Sequence, residues 1–138
     1  FSNHYLFSEN YLNTDLSNRN SRLMSYLRMM KLESVVKYSF DRNKISNELS
    51  RGQQKRLALV YALLECKPLI VLDEWAAEQD PYFRTDFYNE LLQVIRGLGK
   101  TIILVTHDTD FISATDRVVK FDYGRIVSDE VVEEASIS

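Results

Sequence analysis

Three side chains suited to phosphate chemistry follow two apolar runs of the sequence. Asp73 and Glu74 come directly after the run LIVL, and His107 comes directly after the run TIILVT. One carboxylate can hold a hydrated Mg²⁺ while the next orients an attacking water, and a histidine opposite them can donate a hydrogen bond to a terminal phosphate. This combination predicts a site for phosphoryl transfer.

A polar turn upstream of these residues fits the same chemistry. Ser50 is a good N-cap for a helix predicted from about Gln53 to Glu65, and Gly52 would let the backbone approach a ligand closely. The start of a helix presents free N–H groups and about half a positive charge, which favours an anion such as phosphate.

Each of these residues also has an ordinary structural explanation. Most serines at the start of a helix are only N-caps, so Ser50 alone predicts no ligand. Asp73 and Glu74 alone are compatible with the capping of a turn, and His107 alone with a satisfied core or surface histidine. The functional interpretation therefore depends on their order and spacing.

The spacing also predicts the elements that position these groups. Residues 69–72 and 101–106 are short apolar runs typical of strands, and the second run is of the kind found in a strand buried on both faces. Between them, Asp80 and Pro81 predict the start of a helix that ends at Gly97 or Gly99. Apolar residues recur along it at helical spacing: Phe83, Phe87, Leu91, Val94 and Leu98. Strand, helix and strand of these lengths predict an α/β fold with a parallel sheet, and they bring both strand ends to one edge.

The remaining segments are less informative. Residues 1–20 favour a strand end or loop followed by irregular polar structure. Residues 21–37 predict an amphipathic helix, either continuous or broken in two, whose methionines are core residues rather than a groove for a partner. Residues 117–130 alternate around a Tyr-Gly pair, which is typical of a hairpin, and residues 131–138 predict a frayed tail.

Composition bounds the class of protein. The 138 residues, of which 45% are hydrophobic and 27% charged, are enough for one globular core. The formal net charge of −3 disfavours binding of nucleic acid through bulk electrostatics. No apolar run reaches the roughly 18 to 20 residues of a membrane-spanning helix.

The single cysteine, Cys66, is predicted to be a small core residue in a reducing compartment. Because the first residue is Phe1, we expect the chain to be a piece of a longer one.

Four motifs, in this order, resemble the ATP-binding cassette (ABC) ATPases. Residues 49–53, LSRGQ, resemble the signature motif, usually LSGGQ, and residues 69–74, LIVLDE, resemble the Walker B strand with its catalytic glutamate. Residues 77–80, AEQD, stand in the place of the D-loop, and residues 105–108, VTHD, in the place of the switch histidine. The resemblance implies a P-loop NTPase-like ABC ATPase domain of the α/β class that uses ATP and Mg²⁺.

This resemblance covers nearly the whole chain but only the second half of such a domain. Residues of about 10 to 48 correspond to the helical subdomain, and residues 49–138 carry the motifs and the C-terminal hairpin. The parallel-sheet core lacks the Walker A strand, loop and helix, since none of the 4 glycines supports the pattern G-x-x-x-x-G-K-[ST]. We therefore expect this chain alone to bind nucleotide poorly and to hydrolyse it negligibly.

The family resemblance also implies a role for each residue of the turn. Two such domains sandwich two ATP molecules head to tail, so that the signature motif of one domain serves the γ-phosphate bound by the other. Here that role falls to Ser50, Gly52 and Gln53. Arg51 replaces one of the two usual glycines of the motif, the one that directly follows the serine.

Residues of the domain's own nucleotide site follow in the same way. The resemblance implies that Asp73 ligates Mg²⁺, that Glu74 is the catalytic base and that His107 contacts the terminal phosphate. Asp80 would lie near the dimer seam and couple the two sites. Ser2 falls at the Q-loop position, where the wider family has glutamine, and its hydroxyl would help to ligate Mg²⁺ directly or through a water.

A finer resemblance concerns residues 72–81, LDEWAAEQDP. This stretch, together with FSNHYLF at the start, is similar to bacterial exporters of cyclic peptides and siderophore-type peptides. It implies a transmembrane domain in the same chain, a peptide or siderophore cargo, no nucleic-acid partner, and a position at the cytoplasmic face of the bacterial inner membrane.

Two other classes stay open at this point. A soluble ABC ATPase of DNA repair or translation is disfavoured by the short run between the signature motif and Walker B and by the acidic balance. A non-catalytic ABC-like interaction module, which completes the site of a partner with its signature motif, would need a chain that is complete as written.

Overall fold

The computed structural model describes residues 21–36, 38–39, 44–45 and 49–133. We number its elements in chain order, and they are as follows: α1 (Ser21–Met29), β1 (Tyr38–Ser39), β2 (Lys44–Ile45), α2 (Arg51–Leu64), β3 (Leu69–Asp73), a 3₁₀ turn (Trp75–Glu78), α3 (Pro81–Asp86), a π-helical segment (Phe87–Leu91), α4 (Leu92–Gly97), β4 (Thr101–Val105), β5 (Arg117–Asp122) and β6 (Arg125–Val131).

The strands that carry the candidate site are parallel neighbours. β3 pairs with β4 in the register that places Leu69 opposite Thr101 and Asp73 opposite Val105. The helical elements α3 and α4 form the crossover between them, since they follow β3 and precede β4 in the chain. The predicted strand, helix and strand unit is confirmed.

One face of this sheet carries the core. Ile70 and Leu72 of β3 are buried, whereas Val71 on the opposite face remains 58% exposed. β4 shows the same alternation, with Ile103 and Val105 about half exposed. The prediction that the strand of residues 101–106 is buried on both faces is therefore wrong. Helices cover one face, and no described element lies over the other.

The core lies between that face and the helices. Its buried members come from α1 and the turn that follows it, α2, β3, the 3₁₀ turn and the crossover helix. The fully enclosed ones are Leu23, Leu27, Met30, Leu32, Leu57, Leu59, Val60, Leu63, Phe83, Phe87 and Ile95. The buried position of Met30 agrees with the prediction that the methionines of this region pack in the core. α1 ends at Met29, earlier than predicted, because Lys31 has a left-handed φ of 56° that a helix cannot contain.

The crossover helix contains a wide turn that the sequence pattern did not reveal. The 5 residues Phe87–Leu91 form a π-helical segment between α3 and α4. A π turn inserts one extra residue, so every later position moves round the helix by about one place. Accordingly Leu92 and Ile95 are buried, whereas Val94 is 48% exposed and Leu98 is 46% exposed. Val94 and Leu98 continue the helical spacing of the apolar residues in the sequence, but the π turn rotates them out of the buried face.

The C-terminal hairpin was predicted correctly in its centre. β5 and β6 are antiparallel, with Asp122 opposite Arg125 and a Tyr-Gly turn between them. The tail begins later than expected. Val131 belongs to β6, and the Val132 N–H donates to the Asp116 carbonyl at 2.9 Å.

Cys66 is the clearest error among the predicted core residues. The cysteine is exposed and has a left-handed φ of 57° just beyond the end of α2. This conformation turns its side chain away from the core and towards Arg22, whose guanidinium donates to the Cys66 sulfur at 3.0 Å. That hydrogen bond lowers the pKa of the thiol.

Within the described ranges, no helix is both long and apolar enough to cross a lipid bilayer.

Candidate functional site

The two strand ends meet at one edge of the sheet. Asp73 ends β3 opposite Val105, the last residue of β4, and the Glu74 N–H donates to the Val105 carbonyl at 2.8 Å. Beyond these strands, His107 Nε2 lies 3.2 Å from Glu74 Oε1. The structure thus brings the Glu74 and His107 side chains into contact and places Asp73 at the same edge of the sheet.

Glu74 occupies an uncommon backbone conformation. Its φ of 48° and ψ of 31° lie in the left-handed region, which costs a non-glycine residue about 1–2 kcal/mol. Two hydrogen bonds fix it there, because its N–H donates to Val105 and its carbonyl accepts from Lys55 Nζ at 3.1 Å. Strained residues fixed in this way cluster at functional sites. Here the strained backbone places a partly exposed carboxylate at the edge of the sheet.

The loop that carries His107 is anchored to the crossover helix. The Tyr88 ring stacks on Phe111 with centroids 4.3 Å apart and an angle of 7° between the ring planes. Asp108 lies 3.8 Å from Arg84 on the same helix. His107 itself is 98% exposed, so its imidazole is open to a ligand on every side except that of Glu74.

The polar turn forms a complete capping box. Ser50 Oγ accepts a hydrogen bond from the Gln53 N–H at 3.2 Å, and Gln53 Oε1 accepts one from the Ser50 N–H at 3.0 Å. Ser50 is therefore the predicted N-cap, and α2 begins at Arg51, slightly earlier than expected. Because Ser50 Oγ accepts in this box, its hydroxyl proton stays available for donation to an anion.

Gly52 has a reason to be glycine within the chain itself. A Cβ atom at this position would lie 2.9 Å from the Glu78 carbonyl oxygen and 3.3 Å from Gln79 Oε1. The glycine therefore permits close packing of the first turn of α2 on the 3₁₀ turn. The prediction that it serves the approach of a ligand stays a prediction, since this packing alone accounts for the glycine.

A polar network continues from that contact. Gln79 Nε2 donates to the Gly52 carbonyl at 3.1 Å, and Gln79 Oε1 accepts from Arg56 Nε at 2.8 Å. The same guanidinium donates to Asp80 Oδ2 at 3.1 Å and lies 3.6 Å from the centre of the Phe83 ring. Burial lowers the pKa of Arg56, and the Asp80 carboxylate opposes that shift.

Asp80 is the predicted N-cap of α3. Its Oδ1 accepts from the Phe83 N–H at 2.9 Å. That backbone hydrogen bond is the main reason why the pKa of Asp80 lies below its usual value, and Arg56 adds to the effect.

Comparison with known proteins decides the family. The sequence profile described as "ABC transporter" matches residues 1–77, which include the polar turn, Asp73 and Glu74. The chain belongs to the ABC transporter family. Its fold is that of an incomplete ABC ATPase cassette, as the sequence motifs predicted.

Several relatives and a solved structure agree with this assignment. ATP-binding protein SyrD of Pseudomonas syringae pv. syringae is 49% identical over 105 residues, which are 76% of this chain and 19% of SyrD. Spermidine/putrescine import ATP-binding protein PotA of Shigella boydii serotype 4 is 37% identical over 118 residues, which are 82% of this chain and 30% of PotA. A dimeric structure of a bacterial ABC transporter cassette is 25% identical and superposes with a TM-score of 0.63 over 81% of this chain and 46% of that one. The chain therefore spans less than a third of the length of these two relatives.

The site residues fit the groups that an ABC cassette uses. Asp73 is an exposed carboxylate at the sheet edge. This agrees with Mg²⁺, which proteins bind through one or two carboxylates while waters and substrate phosphates fill the other positions. The capping box leaves the start of the 14-residue α2 facing outward, with Arg51 exposed beside it. Ser2 lies outside the described residues.

Four residues that position the site were not singled out from the sequence. Lys55 and Trp75 bind backbone carbonyls across the contact between α2 and the 3₁₀ turn, and Arg56 and Gln79 bind each other there. Of these four residues, only Gln79 had a recognisable signal in the sequence. In AAEQDP it is a polar residue between the apolar alanines and the N-cap aspartate. Its partners lie more than 20 positions away in the chain, so no local pattern reveals them.

Proposed function

We propose that this chain is the C-terminal part of the ATP-hydrolysing domain of an ABC exporter. The observation that carries the proposal is the placement of Glu74 Oε1 and His107 Nε2, 3.2 Å apart, where β3 and β4 end side by side. In open α/β sheets, ligands bind outside the carboxyl ends of the strands. A general base and a phosphate-binding imidazole at that edge are suited to the attack of water on a terminal phosphate.

In this proposal Glu74 is the general base. Its carboxylate accepts a proton from the attacking water while the backbone is fixed by Val105 and Lys55. A fixed base saves the entropy of aligning the water, which contributes to catalysis. General bases of this kind contribute on the order of 10²- to 10⁴-fold in rate.

His107 has two tasks in the same step. Its contact with Glu74 orients the carboxylate, and as an imidazolium, which carries a proton on each ring nitrogen, its exposed ring can also donate a hydrogen bond to the γ-phosphate. Asp73 would hold Mg²⁺, which supplies neutralisation of the charge that develops on the phosphate oxygens.

The turn at the start of α2 would serve the ATP of a second domain. Ser50 offers its hydroxyl proton, Gly52 and Gln53 form the first helical turn, and Arg51 adds an exposed positive charge. Such a helix start attracts phosphate. Head-to-tail pairing of two domains would then place Asp80 near the seam, and the solved bacterial cassette dimer supports such pairing.

The direction of transport and the cargo are the finer parts of the proposal. We infer export of a cyclic peptide or siderophore-type peptide from the likeness of residues 72–81 to that subgroup. The transmembrane domain would belong to the same chain, upstream of Phe1, and this domain would lie at the cytoplasmic face of the inner membrane. Import is the second candidate, because PotA, at 37% identity, is named as an import protein.

Reading the gene upstream of Phe1 and a transport assay together test this proposal. The upstream sequence should encode a phosphate loop within roughly a hundred residues, preceded by several apolar spans of about 20 residues. Inverted membrane vesicles that contain the full-length protein should then take up a labelled cyclic peptide when ATP is supplied.

The control is the same vesicle preparation with a non-hydrolysable ATP analogue. ATP-dependent movement out of inverted vesicles would show import and reverse the proposed direction. An upstream region without apolar spans would remove the membrane domain from the proposal and favour a soluble ABC ATPase.

A further inference from the structure

Gln79 is the one polar side chain in the buried core of the described residues, with 7% of its surface exposed. Burial of an amide is unfavourable unless its hydrogen bonds are made. Both ends of the Gln79 amide have partners, the Gly52 carbonyl for its N–H and the Arg56 guanidinium for its oxygen. A buried glutamine satisfied on both sides sets a specific distance between the segments that it joins.

The segments joined are the first turns of α2 and the 3₁₀ turn. Two further side-chain bonds connect them, from Trp75 Nε1 to the Lys55 carbonyl at 3.0 Å and from Lys55 Nζ to the Glu74 carbonyl at 3.1 Å. We call these two bonds, together with that of Gln79 to Gly52, the turn clamp. Its bonds all end on backbone carbonyls, so they constrain the positions of the two main chains directly.

The turn clamp has a functional residue at each end. At one end its Lys55 bond fixes the backbone of Glu74, the base of the domain's own site. At the other end its Gln79 bond fixes Gly52, which lies in the turn proposed to serve the ATP of the second domain. Because these hydrogen bonds join the two main chains directly, a shift of the first turn of α2 also shifts the 3₁₀ turn, and the reverse holds as well.

We propose that Gln79 is a positioning residue for ATP hydrolysis. It keeps the polar turn at the start of α2 at a fixed position relative to the Glu74 backbone. This inference rests on the proposed function. Gln79 touches no reacting atom and acts through Gly52 and the clamp. A small misplacement of catalytic groups lowers rates steeply, so loss of the Gly52 bond should reduce hydrolysis by roughly 10- to 100-fold.

The chain supplies a close control in Gln93. Its Nε2 also donates to a backbone carbonyl, that of Ala114 at 3.3 Å, and its Oε1 also accepts from an arginine, Arg96, at 2.7 Å. Unlike Gln79, it is exposed and lies on α4, away from the strand ends. Gln79→Glu and Gln93→Glu remove the same donor and leave the same kind of arginine contact, so they differ in location and in burial.

The test uses the full-length protein in detergent or lipid and two readouts. The first is the single-turnover rate constant of ATP hydrolysis, which does not depend on the folded fraction because that fraction sets only the amplitude. The second is hydrogen exchange, followed by mass spectrometry, of peptides that span residues 50–57 and 74–79. Gln79→Met, which keeps the length of the side chain, replaces Gln79→Glu if the latter does not fold.

We expect Gln79→Glu to lower the rate constant by roughly 10- to 100-fold and to speed exchange in both peptides, with Gln93→Glu within about twofold of wild type. Faster exchange with an unchanged rate constant would overturn the inference and leave the proposed function intact. Unchanged exchange in both peptides would overturn it as well, because the clamp would not depend on Gln79. Wild-type protein without ATP hydrolysis would instead reject the proposed function, and this inference with it.

Discussion

His107 Nε2 lies 3.2 Å from Glu74 Oε1, although the two residues leave different strands of the sheet. The contact exists because β3 and β4 are parallel and end in register, with Asp73 opposite Val105. The Glu74 N–H then continues the ladder by one more bond, to the Val105 carbonyl. The contact between Glu74 and His107 is thus a consequence of strand register. The segment after Glu74 continues into the 3₁₀ turn, whereas the loop after His107 packs on the crossover helix.

This geometry predicts the effect of removing the imidazole. His107→Ala should reduce ATP hydrolysis by the full-length protein on the order of 10²- to 10³-fold, the usual range for loss of one donor to a developing oxyanion. Since His107 is 98% exposed, the fold should be unaffected. Steady-state phosphate release measures the effect.

Thr109→Ala, on the exposed part of the same loop, is the matched control and should hydrolyse ATP like wild type. Hydrolysis by His107→Ala at the wild-type rate would remove the histidine from the proposed mechanism.

The left-handed conformation of Glu74 makes a prediction about stability. Glu74→Gly and Glu74→Ala both remove the carboxylate, but only glycine relieves the strain at a φ of 48°. We expect the glycine variant to unfold with a free energy about 1 kcal/mol higher than that of the alanine variant. Urea unfolding of the two purified ABC domains, followed by circular dichroism, gives this difference.

The usual order of these two residues is the reverse, because glycine is the more flexible residue in the unfolded chain. An alanine variant as stable as the glycine variant would therefore show that Glu74 is not held in the left-handed region in solution.

Asp80 predicts a pH dependence. The Phe83 N–H, with help from Arg56, lowers the pKa of Asp80 in the folded state below its unfolded value of about 3.9. The ionised form is therefore favoured by folding, and its stabilisation is present above that unfolded value and lost as the pH falls through the folded pKa. Asp80→Asn keeps an N-cap oxygen but cannot ionise.

The measurement is the difference in melting temperature between wild type and Asp80→Asn from about pH 7 down to about pH 3. We expect wild type to be the more stable protein near neutral pH, and we expect the difference to shrink towards the acidic end. A difference that stays constant over this range would contradict the assigned cause of the pKa shift.

The sequence predicted those features that depend on local chemistry. Ser50 and Asp80 are N-caps in the structure because a short polar side chain before an apolar-periodic run satisfies free N–H groups wherever it occurs. The apolar strands were also recognisable, and parallel pairing followed from the helix between them. The edge that carries Glu74 and His107 was therefore accessible from the sequence, without the distance between them.

Other features depend on contacts between distant residues and were not predictable. The π turn at Phe87–Leu91 shifts the buried face by one residue, so Val94 is exposed although a regular helix would bury it. Cys66 has an apolar sequence neighbourhood, but the left-handed turn after α2 puts it on the surface. The pairing of Gln79 with Gly52 joins segments that no sequence period connects.

The central claim is that Glu74 is the base that activates water for ATP hydrolysis, and Glu74→Gln in the full-length protein tests it most directly. The amide keeps the size of the side chain but cannot accept the proton of the attacking water. Glu90→Gln, an exposed substitution of the same type on the π-helical segment, is the control. We predict that Glu74→Gln lowers the single-turnover rate of hydrolysis on the order of 10²- to 10⁴-fold while ATP binding stays within about twofold of wild type. Hydrolysis by Glu74→Gln at the rate of Glu90→Gln would contradict the account.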